Sequence, residues 1–103
     1  MARPTHEFRT SDGRVIVIND FITGEEHRSI RRIYIEGLEQ KRSTADIDFD
    51  ADNRMFEVAV VSVDGITEAI VGSILALPLA DFRALVDDVK ALLDEDKKKS
   101  QVS

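Results

Sequence analysis

Five carboxylates stand at a spacing that metal chemistry uses: Asp46, Asp48, Asp50 and Asp52, followed by Glu57. With Asp46 as the first position, they fall at the first, third, fifth, seventh and twelfth places, from which a calcium-binding loop presents oxygen ligands. Three features oppose that reading. Ala51 takes the sixth place, where the sharp turn needs glycine, and Asn53 takes the eighth, where a β-branched residue pairs with a sister loop. No second such loop exists in the sequence. Residues 43–53 are therefore expected to form a solvated acidic linker that holds no metal. Other chemistry-bearing residues are sparse. His6 and His27 are the only histidines, and there is no cysteine to supply a disulfide, a thiolate ligand or a nucleophile. No zinc-ligand spacing, nucleophile elbow or glycine-rich phosphate loop is present. The expectation is a non-enzymatic protein with no catalytic residues and no cofactor.

The elements that would carry any site follow from apolar spacing. The chain has 103 residues, 43% of them hydrophobic, enough for one domain with one core. Its formal net charge of −6 disfavours nucleic acid as a partner, since phosphate neutralisation needs excess lysine and arginine. No apolar run approaches the roughly 20 residues of a membrane span, and MARPTHEFRT has no apolar core of a signal peptide. A soluble, cytosolic protein without membrane contact is expected.

Phe82, Leu85, Val86, Val89, Leu92 and Leu93 trace one face of a helix over 77–93, with Pro78 and Asp81 suited to its first turn. Two short runs flanking Ser11-Asp12-Gly13 predict a β-hairpin over 7–18. Thr23 followed by Glu26 has the form of a capping box and opens a helix over 24–40, which Gly37 weakens by about 1 kcal/mol. Arg28, Arg31, Arg32, Lys41 and Arg42 make this the most basic stretch. They read as a solvated face balanced by Glu25, Glu36 and Glu39, with docking of an acidic partner as the alternative.

Residues 54–64 are ambiguous. Their valines suit a strand, while the spacing and Gly65 favour a buried central helix. A short helix, with Thr67 as a candidate cap, precedes Pro78. Residues 97–103 read as a disordered tail. The expected fold is mainly α, three to four helices with a small N-terminal β-hairpin, in one domain over 1–96. Aliphatic residues exceed what these small helices need to cover one another, which points to a partner chain or self-association as a homo-oligomer.

These residues carry a resemblance. Thr23-Gly24, the run Val61-Ser62-Val63-Asp64-Gly65, and Leu77-Pro78 leading through Asp81-Phe82 to Leu85 resemble the tail assembly chaperones of long-tailed bacteriophages and prophages, over about Glu7 to Leu93. The resemblance implies a protein that binds and solubilises the helical tape-measure protein while tail-tube subunits assemble. Such a protein acts in the bacterial host cytoplasm and is absent from the mature virion. Lys97-Lys98-Lys99 is compatible with the frameshift site by which the family makes a longer form. On this reading the partner-binding candidates are Ile30, Ile33, Tyr34, Phe82, Leu85 and Val89. The alternative is a small structural virion protein, such as a head–tail connector or tail-completion component.

Overall fold

The computed structural model describes the backbone of residues 3–102 and the side chains of residues 3–93. The chain opens with β1 (Thr5–Arg9) and β2 (Val15–Asn19), antiparallel with Thr5 opposite Asn19 and Arg9 opposite Val15. Between them Gly13 adopts φ +89°, and Gly13 N–H donates to the Thr10 carbonyl at 3.1 Å. Thr10 Oγ1 donates to Asp12 and accepts from the Arg14 amide at 3.0 Å, so the polar turn residues satisfy one another.

Helix α1 (Gly24–Glu39) starts at the capping box anticipated from the sequence. Thr23 Oγ1 accepts from the Glu26 amide at 3.1 Å, and Glu26 Oε1 accepts from the Thr23 amide at 2.8 Å. It ends in a Schellman turn: Arg42 N–H donates to the Gly37 carbonyl and Lys41 N–H to the Leu38 carbonyl. Lys41 fills the left-handed position usually taken by glycine, at φ 56°.

Residues 43–53, expected as a linker, are instead helical. Helix α2 (Thr44–Ala59) begins at Ser43, whose hydroxyl accepts from the Asp46 amide at 3.2 Å. Ile47, Ala51, Met55, Val58 and Ala59 recur at helical spacing and are buried. The helix also removes the calcium geometry. Carboxylates at i, i+2, i+4 and i+6 radiate around a helix and cannot converge on one ion. Among the described residues no three potential ligands gather at a point.

The ambiguous stretch 54–64 divides. It is helix to Ala59 and then, without a connecting loop, strand β3 (Val60–Val63). β3 pairs antiparallel with β2, Val63 opposite Ile16 and Ser62 opposite Val17, giving the sheet order β1-β2-β3. Asp64 and Gly65, both at positive φ, turn the chain so that Val63 and Ile66 exchange two backbone hydrogen bonds. This is the Asp-Gly turn of a tight hairpin.

The short helix expected before Pro78 is α3 (Ile70–Leu75), preceded by Ala69 in the left-handed region rather than by a Thr67 cap. Helix α4 (Leu79–Val102) follows Pro78, and its backbone continues through the segment 97–102 expected as a tail. Among the described residues, four helices and a three-stranded antiparallel sheet make the fold mixed α/β rather than mainly α.

Phe56, Ile16, Ile18, Ile74, Leu85 and Val89 are fully buried at its centre. The Phe56 ring meets Phe82 edge-on, centroids 5.9 Å apart, the arrangement favoured by the aromatic quadrupole. Among the described residues no helix is long and apolar enough to cross a membrane.

The α1–α2 contact is close because Gly37 has no side chain. A Cβ there would lie 2.5 Å from Ile47 Cγ1. Gly37→Ala is expected to destabilise the protein by about 1–3 kcal/mol in urea denaturation, because buried, β-branched Ile47 has little freedom to yield. In an Ile47→Ala background the same change becomes stabilising by about 1 kcal/mol, as helix propensity alone remains. Exposed Lys41 gives the opposite outcome: Lys41→Gly raises stability by about 1 kcal/mol by removing left-handed strain.

Candidate functional site

The six residues expected to face a partner separate by burial. Ile30, Leu85 and Val89 are core residues, 7%, 0% and 0% exposed, and so are unavailable as a surface. Their helical spacing identified a buried face, and spacing alone does not distinguish a face covered within the chain from one covered by another chain. Ile33 and Phe82 are half-buried against that core. Tyr34 is 40% exposed and remains at the surface.

Tyr34 belongs to a groove of about 350 Å³ where α1, α2 and α4 meet. Ile30, Ala51, Met55 and Leu93 supply its apolar lining. His27 and Arg31 of α1, Asp48 and Asp52 of α2, and Lys90 of α4 add its polar edges. Burial pushes the Asp52 carboxyl above the usual carboxylate range; nearby Asp48 adds to this and Lys90 opposes it. Burial likewise raises the Tyr34 phenol, helped by the negative charges of Asp48 and Asp52.

Three further apolar side chains of the α1–α2 pair stand exposed. Leu38 follows Tyr34 by one turn and is 69% exposed, and Ile35 is also exposed. Phe49, 64% exposed, lies two residues after Ile47 on α2, about 200° round the helix from the side that packs on Gly37. The half of the α1–α2 pair nearest the 40–43 connection thus carries three large apolar side chains in water. Of these, Leu38 lies at the apolar spacing of 24–40 read from the sequence, after Ile30, Ile33 and Tyr34, but was not counted among the partner candidates; Ile35 falls outside that spacing and Phe49 falls in the supposed linker. A second group of exposed apolar residues, Val61, Ile66, Leu75 and Leu79, flanks β3 and α3.

His6 on β1 is gripped from both sides: Nδ1 lies 2.7 Å from Asp20 Oδ1 and Nε2 lies 2.8 Å from Asp88 Oδ2. The Asp88 and Asp20 hydrogen bonds raise its pKa against the opposing effect of burial. In the protonated form both ring nitrogens donate, one to each carboxylate. The clamp ties the hairpin to α4. A second tie is made by Asp81, which accepts from the Ser11 amide at 3.0 Å and the Ser11 hydroxyl at 2.7 Å. Both features mark structural joints.

The raised His6 pKa sets a direction for pH dependence. The folded state holds the proton more tightly than the unfolded chain, so the clamp's stabilisation is fully present below about pH 6.5 and fades as pH rises through the raised value. All three side chains are more than one-third exposed, so the effect is modest. Urea midpoints of wild type and His6→Gln are expected to differ most near about pH 6 and to converge by about pH 9. Compared with protein-family models, with curated proteins and with solved structures, the chain matches none.

Proposed function

We propose that this chain is a non-enzymatic tail assembly chaperone, which binds the tape-measure protein and keeps it soluble during tail-tube assembly. The observation that carries this reading is the exposed pair Tyr34 and Leu38, one turn apart on α1 with Tyr34 in the groove, together with Ile35 and Phe49 exposed on the same two helices. A long helical protein awaiting assembly presents apolar stripes to water, and a concave apolar surface on a small protein covers such a stripe by the helix-in-groove mode. The resemblance around Val61–Gly65 and Leu77–Leu85 supports the same role. A net charge of −6 keeps released copies apart through mutual repulsion. Within this proposal Tyr34, Ile35, Leu38 and Phe49 form the contact surface, Ile33 and Phe82 support it, and Ile30, Leu85 and Val89 hold the helices that present it.

The test is co-expression with a tape-measure protein, which on this reading is encoded immediately downstream. The wild-type chain is expected to keep that protein soluble. Leu38→Asp and Phe49→Asp together are expected to weaken their complex at least about tenfold, the scale of one well-packed anchor. Because both side chains are exposed, the variant's own stability should change by no more than about 0.5 kcal/mol. An undiminished complex, or stoichiometric copies of this chain in mature particles, would overturn the assignment.

A further inference from the structure

Away from the groove, a cleft of about 680 Å³ between the first half of α1 and the second half of α2 is lined by Arg28, Arg32 and Arg54, with Ser29 among them. Arg28 and Arg32 stand one turn apart and project side by side. Arg54 approaches from α2, where its Nε donates to Ser29 Oγ at 3.0 Å. The Ser29 hydroxyl donates onward to the Glu26 carbonyl at 2.6 Å, so this guanidinium is held in place.

In a chain of net charge −6, three arginines in one concavity run against composition. Three of the six other arginines are neutralised locally, Arg3 by Glu26, Arg14 by Asp12 and Arg42 by Asp50; Arg9, Arg31 and Arg83 stand apart from this cleft. Among the described residues, Arg28 and Arg32 make no ion pair, and the carboxylate paired with Arg54 is Glu57 at 4.0 Å. Glu25 and Glu26 also border the cleft, leaving three guanidiniums against two carboxylates, and Arg3 holds Glu26 through two contacts of 2.7 and 3.0 Å.

The geometry selects among anions. At the start of α1 the Glu26 amide is engaged by Thr23, and the groups that set the charge of the cleft are the three guanidiniums. Two adjacent guanidiniums one turn apart, with a third across an open cleft, suit several spaced carboxylates better than one phosphate. We propose that this cleft docks an acidic helical segment of a partner protein, whose carboxylates one turn apart engage Arg28 and Arg32 beside Arg54. This deepens the functional assignment above and rests on it in naming the partner as a helical protein.

The test is a titration of the nitrogen-15-labelled chain at low ionic strength with an alanine-based helical peptide carrying glutamate pairs one turn apart. The same peptide with glutamine at those places serves as control. The glutamate peptide is expected to shift, saturably, the amide signals of residues 24–32 and the Arg54 Nε–H. The glutamine peptide should bind at least about tenfold more weakly, as should the glutamate peptide to Arg28→Gln/Arg32→Gln. About 0.5 M salt should weaken it comparably, whereas Leu38→Asp should leave it unchanged. Equal binding of the glutamine peptide, shifts scattered over the surface, or tighter binding of a single-stranded oligonucleotide of equal charge would overturn the proposal. If the glutamate peptide gives no response while the Leu38 and Phe49 changes abolish tape-measure binding, the cleft inference falls and the chaperone assignment stands. If the peptide binds the cleft while those changes leave tape-measure binding intact, the reverse holds.

Discussion

The other helices and β3 pack on one amphipathic ridge. Helix α2 touches α1, α3, α4 and β3, and its Ala51, Met55, Phe56 and Ala59 are almost wholly withdrawn from water. Burying an aromatic side chain such as Phe56 contributes on the order of 1.5–3 kcal/mol. Its edge-on contact with Phe82 also orients α4. Small residues sit where neighbours come closest: Gly37 lets α1 approach Ile47, and Ala51 and Ala59 keep α2 narrow. A chain this small has little surplus core, so this ridge sets where every other element lies.

Polar groups then fasten the periphery to that centre. Asp81 holds the β1–β2 turn and Asp88 holds His6, so one helix grips both ends of the hairpin. Arg3 stacks over Phe21 and pairs with Glu26, joining the start of the chain to the start of α1. Burial raises the Glu26 carboxyl, but Arg3 and the Thr23 amide outweigh it and leave it below its usual range. Among the described residues, no side-chain polar atom is both fully buried and without a hydrogen-bond partner. The apolar groups left in water at Ile35, Leu38 and Phe49 stand out against that economy.

Much of this was legible in the residues because the signals were local. The Asp12-Gly13 turn, the Thr23–Glu26 capping box and the apolar period of 82–93 each specify their own conformation. The first half of α2 was misread because its acidic surface outweighed Ile47 and Ala51, whose spacing joins them to Met55 and whose burial depends on α1. The strand at Val60–Val63 was obscured because pairing with β2 comes from a segment distant in sequence, which no local pattern reports. For the same reason the candidate surface was only partly visible. Periodicity found Tyr34 and the buried face beside it, but the residues left in water depend on how the helices cover one another.

The direct passage from α2 into β3 fixes the chain's length at that point. Inserting one residue before it turns the preceding helical face by about 100° relative to the strand. Inserting one after it exchanges the two faces of the strand, bringing Val61 inward and Val60 outward. With no loop at Ala59–Val60 to absorb either error, variation in length is confined to connections such as 40–43 and 66–69. The rigid seam between helix and strand therefore acts as a ruler for the whole domain.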